Sequence, residues 1–436
     1  MKGFLRKTAV AILAMTGSGG ASAQGRPPEK ADASNGHGAV YESVEGWADL
    51  VETLQGLPAR MLAMLPPEMR NDPQLRQDVG RLALASVTGA AFDTLSADGD
   101  HPFFLPQLNM LTFAGQPNPD TIYRYTHITP GGTYRLRGEK GAMRIATIGE
   151  MPPYRTVNGV LTPSPIKSYH DINALKTDAQ GRFDVLLSPV RPEGYAGDWW
   201  QLEPATNRLL LRLVSSDWPN EREPTIAIER VDAPASMPRP AAALLEQRLR
   251  DLAAQTRFMA TLFVDKVERL RREGYVNRLK IFDVSGMGGL SGQSYYEGPF
   301  DLKDDEALII SAKAPTRCLY RSIMVTNETY DTIDWYNNHS SLNDSQSKPD
   351  SDGVLRFVVS KRDPGVPNWL ATAGHRRGLV QGRWMECDSN PIPDALKVKI
   401  DEVRNHIPAD TPHVTPAERE KIIRDRRVAL HHRRLW

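Results

Sequence analysis

Residues 239–273 frame the rest of the chain. From Ala241 to Glu273 no Pro or Gly interrupts, and Leu245, Leu249, Leu252, Met259, Phe263, Val267 and Leu270 recur at three- and four-residue spacing. Gly274 supplies a stop. A single apolar seam on so long a helix must be covered, so the helix packs across a sheet or bridges two. The seam carries no His, Asp or Glu, which argues against a metal or cofactor face there. Short alternating segments separated by turns lie on both sides: Thr133–Arg137, Met143–Ile148, Phe183–Leu187, Leu209–Val214 and Thr225–Arg230 before it, Ala307–Ser311, Cys318–Thr326 and Leu355–Ser360 after it. This spacing indicates an antiparallel sandwich or barrel. The expected class is α+β: antiparallel β-sandwich or jelly-roll sheets, a helical N-terminal region and one long packed helix.

The N-terminus reads as a targeting segment. Lys2, Arg6 and Lys7 precede the apolar run Thr8 to Met15, and Ala21-Ser22-Ala23 is a small-residue cleavage signal. Residues 1–23 are expected to be a signal peptide, and residues 24–40, rich in Gly, Pro, Ala and charge, a disordered leader. A periplasmic or secreted location follows. The remaining organisation is expected as a helical plus β-rich domain over 41–238, a connecting helix over 239–274, a jelly-roll-like domain over 275–410 and a basic helical tail over 411–436. Within the first of these, Trp47, Leu50, Val51 and Leu54 form a helical stripe, and Pro58, Pro66, Pro67 and Pro73 break the helical region into pieces. Ala395–His406 reads as a helix, and another begins near Pro416. Lys and Arg total 54 against 53 Asp and Glu, so a nucleic-acid partner has no electrostatic support. No later run is long and apolar enough for a membrane span. Cys318 and Cys387 both fall in strand-like segments; they are either one disulfide or two buried thiols.

Three segments occur together and in order: Asn118-Pro-Asp-Thr-Ile-Tyr, Cys318-Leu-Tyr-Arg-Ser-Ile-Met-Val-Thr-Asn, and the Pro-Asn-Trp-Leu…Gly-Arg-Trp loop ending at Trp384. The ordered set resembles the bacterial family catalogued as domain of unknown function 1214, often preceded by a companion domain numbered 1254. The C-terminal likeness runs from about residue 280 to 410. It implies a β-sandwich of jelly-roll character with helices attached, frequently exported. It implies no settled activity, so it bears on fold rather than function.

Four polar clusters could carry chemistry. Asn118, Asp120, Tyr123, Arg124 and His127 come first. Tyr123 and His127 share a strand face and could act as acid and base, although Asp120 could simply cap a turn and His127 could be a hydrogen-bonded structural residue. The polar loop Tyr330–Asn343 holds Trp335, Tyr336, Asn337, His339 and Asn343, suited to stacking on a flat ligand and reading its hydroxyls, or to forming an ordered turn. The loop around Trp369, His375 and Arg383 sets an aromatic plate beside cations; a buried Trp under solvated arginines is the plainer reading. Arg321, in an otherwise apolar strand, must reach solvent, a structural Asp or a bound anion.

No nucleophile elbow, zinc-protease motif, phosphate loop or dinucleotide loop is present, and Gly286–Gly292 reads as a linker or lid. No cofactor is expected, and a metal held by residues from distant strands stays open. Two functions follow from these residues. One is an exported enzyme cleaving a small hydroxylated or aromatic compound, with His127 or His339 as base, Tyr123 or Tyr336 as acid, and Arg321 and Arg383 steadying charge. The other is a non-catalytic envelope module binding a saccharide or another small ligand. The residues leave the oligomeric state open.

Overall fold

A computed structural model describes residues 44–434 except 107, 113–114, 154, 158–159, 163, 165, 167, 283–289 and 291. The expected signal peptide, the leader and most of Gly286–Gly292 lie outside the described residues.

Helices α1 (Trp47–Ala63) and α2 (Pro73–Leu95) lead the described chain. Eleven strands follow: β1 (Leu105–Pro106), β2 (Thr121–His127), β3 (Tyr134–Glu139), β4 (Ile145–Met151), β5 (Arg155–Val157), β6 (Val160–Thr162), β7 (Tyr169–Asp171), β8 (Arg182–Ser188), β9 (Asp198–Gln201), β10 (Arg208–Val214) and β11 (Thr225–Arg230). Next come α3 (Ala242–Thr261) and α4 (Lys266–Arg272). The second strand set is β12 (Lys280–Phe282), β13 (Gln293–Asp301), β14 (Glu306–Lys313), β15 (Cys318–Thr326), β16 (Ser341–Asn343), β17 (Val354–Ser360), β18 (Trp369–Ala371), β19 (Arg377–Cys387) and β20 (Asp394–Lys399), and α5 (Pro416–His431) closes the chain.

Apart from the separate β5–β6 pair, the strands build two sandwiches. In the first, a five-stranded sheet ordered β1-β2-β10-β4-β7 covers a four-stranded sheet ordered β11-β3-β8-β9. In the second, β12-β13-β19-β15-β16 covers β18-β17-β14-β20. The two orders match strand for strand, down to the parallel pairs β8–β9 and β17–β18 among otherwise antiparallel ladders. The fold is therefore an internal duplication. Each sandwich has its own core. Leu209, Leu211 and Leu213 of β10 point into the first, beside Leu136, Ile148 and Val185. Val380 and Trp384 of β19 point into the second, beside Ile310, Val325 and Val359. Burying each such aliphatic side chain contributes about 1.5–3 kcal/mol. Gly382 in β19 has no side chain because Tyr296 occupies its place: a Cβ there would meet the ring at 2.0 Å.

The α+β class and the sandwich sheets are as expected, but several local expectations differ. The long helix is bent, α3 ending at Thr261 and α4 starting at Lys266. Its two parts cover different partners. Leu252 and Ala260 of α3 face α1 and α2, whereas Val267 and Leu270 of α4 face Tyr330 and Leu379 of the second sandwich. One straight helix could not present its seam to both. On α1 the buried face is Leu50, Thr53, Leu57 and Met61, leaving Trp47, Val51 and Leu54 exposed. Pro58 sits inside α1 without ending it, because the carbonyl it frees belongs to solvent-facing Leu54. Asp72 caps α2 through the Gln74 and Leu75 amides, with Pro73 in the first turn.

The expected helix over Ala395–His406 is instead strand β20 followed by a 3-10 turn. Pairing of Ala395 and Leu396 with Ile310 and Ile309 of β14 overrides the local propensity. Helix α5 starts at Pro416 behind a Thr415–Glu418 capping box. Its arginines are not all on a solvated face, since Arg419 and Arg426 are buried.

Candidate functional site

The outer faces of the two five-stranded sheets meet. Central strand β10 is buried on both sides, which is why Leu209–Leu213 is interrupted only by Arg212. Ile145 and Val214 pack on Tyr320 and Met385 at one end of this contact. One step further along each sheet the residues become polar. On the first sheet Tyr123, Arg212 and Thr147 stand side by side across β2, β10 and β4. On the second, Tyr295, Arg383 and Ser322 stand side by side across β13, β19 and β15. The rows continue to Asp171 and Asn343. Tyrosine, arginine, hydroxyl and Asx therefore appear in the same strand order twice.

Arg383 is 4 % exposed. Its guanidinium lies 4.9 Å from the Tyr295 ring centre, and Nη2 donates to Gln381 Oε1 at 3.2 Å and touches Met324 Sδ at 3.8 Å. Its Nε has no hydrogen-bond partner among the described residues, and no carboxylate there pairs with it. Burial works against its charge, but the surrounding Tyr295, Tyr320, Tyr123 and Asp120 outweigh that and hold it above its ordinary value. Neighbouring carboxylates are otherwise engaged. Glu297 pairs with Lys266 at 3.0 Å, and Gln381 gives its amide to the Tyr330 hydroxyl at 2.9 Å. A buried guanidinium without a counter-ion is costly, by several kcal/mol in general.

Asp120 lies at the edge of the same layer. Its carboxylate accepts hydrogen bonds from Tyr320 Oη at 2.6 Å, Trp218 Nε1 at 2.7 Å and Asn343 Nδ2 at 2.7 Å. Asn118 shapes the preceding turn by accepting from the Asp120 amide, and its Nδ2 donates to Tyr320 Oη at 3.0 Å. Burial pushes the Asp120 carboxyl above its usual range in spite of those donors. Helix α5 and the residues after it add Arg419, Arg426 and Arg433 at seven-residue spacing. Arg426 lies 4.5 Å and Arg433 5.0 Å from the Trp218 ring centre, and Arg419 5.2 Å from that of Trp369. Arg419 pairs with Asp363 at 2.8 Å. Arg426 uses Gln346 and Ser341 instead, and Arg433 the Pro119 carbonyl. Burial pulls Arg426 down to about 10, with Asp120 opposing it. Near Asp120, buried Arg426 and half-buried Arg433 thus make no carboxylate ion pair among the described residues.

The structure brings together Asn118, Asp120 and Asn343 at this junction, with Tyr123 and Arg383 in the adjoining layer. Tyr123, Arg124, Trp335 and Tyr336 line one small cavity of about 60 Å³ together with Arg433. The other expected residues sit elsewhere. His127 accompanies Tyr123 on one face of β2 but lies beyond Tyr125, against α2, 2.8 Å from Asp93. Burial alone would raise Asp93; His127, Arg208 and Gln255 bring it down to about 2. His339 is buried, its Nδ1 2.6 Å from the Trp369 carbonyl and its Nε2 3.3 Å from Arg419. Burial, with Arg426 and Arg419 nearby, pushes its pKa well below the usual value, so it is a neutral packing residue beside Trp369. Trp369 itself donates to Ser360 Oγ. Arg321 is half-buried, and Ser347 occupies its guanidinium: the hydroxyl accepts from Nη1 and the carbonyl from Nη2. Asn337 closes its own turn onto Asp334, and His375 lies 3.8 Å from Asp78.

Arg212, Thr147, Tyr295, Tyr320 and Ser322 are not legible as site residues because only the strand register places them, and Trp218, Arg426 and Arg433 because only the packing of the loop after β10 and of α5 against the junction does. The seven-residue spacing of the three tail arginines was the one available signal. Among the described residues no group of three or more His, Cys, Asp or Glu could hold a metal ion. No described helix is long and apolar enough to cross a membrane.

A second perturbed carboxyl lies under α2. Asp331 is 8 % exposed, with Arg81 at 3.6 Å. Burial raises its pKa to about 6, with Arg81 lowering and Asp78 raising it; Arg81 is half exposed and therefore screened. The folded state favours the protonated form, so the contribution of Asp331 to stability is present below its ordinary value and is lost as pH climbs through about 6. The rise is worth about 2 kcal/mol once residual structure and coupling to Asp78 are allowed for. Asp331→Asn is expected to flatten the pH dependence between about 4 and 6. Urea midpoints at both ends of that window check this, and parallel wild-type and variant curves would refute it.

What these features define is a duplicated β-sandwich protein with a buried, cation-rich layer between its halves. The chain is similar to a solved structure of an uncharacterized protein from Burkholderia cenocepacia, at 27% identity and a TM-score of 0.73, over 81% of this chain and 97% of that one. A solved protein from Vibrio parahaemolyticus is 12% identical over 74% of this chain and 98% of that one, with a TM-score of 0.41. No family model matches the chain, and no curated protein does.

Proposed function

We propose that this is an exported protein of the domain of unknown function 1214 type that binds a small anionic compound between its two five-stranded sheets. The observation that carries the reading is Arg383, buried, lacking a carboxylate partner among the described residues and flanked by the ring of Tyr295. An anion there would offset the desolvation of the guanidinium, and Arg presents a fork suited to carboxylate. Arg426 and Arg433 near Asp120, without a carboxylate ion pair among the described residues, support the same sign of ligand. Binding is favoured over acid–base cleavage because His127 is tied to Asp93 and His339 to Trp369 and Arg419, so neither faces the Arg383 row. Export is supported by the Lys2–Ala23 pattern and by the disulfide joining Cys318 and Cys387.

The test is calorimetry of the purified protein with a panel of small carboxylates that includes benzoate and propionate. At least one is expected to bind, and Arg383→Gln is expected to weaken it by about 30-fold, roughly 2 kcal/mol. A folded Arg383→Gln variant with unchanged affinity, or a panel with no binder at all, would end the reading.

A further inference from the structure

The duplication places two equivalent rows in one buried layer. Tyr123, Arg212 and Thr147 on the first sheet correspond in strand order to Tyr295, Arg383 and Ser322 on the second. The equivalence extends to the apolar end, where Ile145 and Val214 correspond to Tyr320 and Met385 and pack on them. The arginines also share a setting. Arg212 lies 5.9 Å from the ring centres of both Tyr123 and Tyr169, and donates Nη1 to the Tyr169 hydroxyl at 3.2 Å. Arg383 lies over Tyr295, whose hydroxyl is turned away to Gln293 at 2.6 Å.

The hydroxyls add an independent observation. Thr147 Oγ1 and Ser322 Oγ are both buried, and neither makes a hydrogen bond of normal length among the described residues. They hold equivalent positions, each beside its arginine. A buried hydroxyl left unmatched costs about 1–3 kcal/mol, so a pair of them at matched positions marks where matched acceptors would sit. A carboxylate beside each arginine could accept from the guanidinium with one oxygen and from the hydroxyl with the other.

We propose that the layer takes a small compound with an anionic group at each end, a short dicarboxylate being the plainest case, with one end at Arg383 and Ser322 and the other at Arg212 and Thr147. This rests on the anion-binding reading above and specifies it. The apolar contact of Val214 with Met385 closes one side of the layer, which favours a short carbon chain over a long polar one.

Calorimetry with succinate and fumarate against propionate and acrylate tests it. The dicarboxylates are expected to bind at least about tenfold tighter than the matching monocarboxylates. Arg212→Gln should bring the dicarboxylates down to the monocarboxylate level, and Arg383→Gln should weaken both classes. Thr147→Val, nearly isosteric, should weaken the dicarboxylates by about tenfold and serves if Arg212→Gln fails to fold. Equal affinity for both classes, with Arg383→Gln still weakening them, would overturn the two-ended ligand and leave the anion site standing. Binding of neither class would overturn both. A dicarboxylate preference unchanged by Arg212→Gln or Thr147→Val would place the second end elsewhere and overturn this assignment.

Discussion

Asp120→Ala is expected to lower the unfolding free energy by about 4 kcal/mol. Asp120 accepts from Tyr320, Trp218 and Asn343, and all three donors are buried with it or against it. Alanine would leave the Trp218 indole N–H and one amide N–H of Asn343 without an acceptor, each costing about 1–3 kcal/mol, and would leave the Tyr320 hydroxyl only the longer 3.4 Å contact with Asn118 Oδ1. It would also remove the nearest negative charge from Arg426 and Arg433, which have no ion pair among the described residues. Against this stands one gain. Burial already pushes the Asp120 carboxyl up, so removing it relieves a desolvation penalty. These losses together outweigh one relieved charge. Asp120→Asn should cost less than half as much, since its carbonyl oxygen can still accept from Trp218 and Asn343. The check is chemical denaturation of both variants followed by tryptophan fluorescence, to which Trp218 is one of eight contributors. Equal midpoints for wild type and Asp120→Ala would mean that the three donors find other partners, and that the junction is looser than its geometry implies.

How far the sequence discloses this architecture depends on the range of the interaction. Strands with their own alternation, such as Thr225–Arg230 and Cys318–Thr326, were legible to the residue because hydrophobic period and turn residues act locally. Helix α5 was legible from Pro416, where proline and a capping box coincide. The bend after Thr261 was not, since no Pro or Gly marks it; it exists because two distant surfaces need covering at different angles. Strand β20 reads as a helix from its local sequence because its partner Ile309 lies far away in the chain. The duplication was invisible for the same reason. Tyr123 and Tyr295 have dissimilar neighbours, and their equivalence is a matter of strand order. Within the site, Asn118, Asp120 and Asn343 could be singled out because turn-forming polar residues beside apolar strands are conspicuous. His339 was conspicuous for the same reason, yet burial and Arg419 make it a packing residue. Arg321 looked like an anion clamp only while Ser347 was out of view.

The duplicated scaffold is also stapled in one half only, and that asymmetry has a measurable consequence. Cys318 and Cys387 face each other at the end of the β15–β19 ladder and form a disulfide, 69 residues apart in sequence. The loop it closes contains β16, β17 and β18, and with them the segment bearing Trp335, His339 and Asn343. Closing a loop of that length removes denatured-state entropy worth about 4 kcal/mol in the chain-entropy view, with typical measured values of 2–4. Strands β15 and β19 are central in their sheet, so the native state gives up little geometry when the bond is lost. Replacing both cysteines with serine is therefore expected to cost about 3–4 kcal/mol, nearly all of it through the denatured chain. Wild type treated with reductant should show a similar shift. Urea midpoints of wild type, reduced wild type and the double variant decide the matter. If all three coincide, the bond contributes nothing to stability, and the argument for an oxidising compartment loses its structural support.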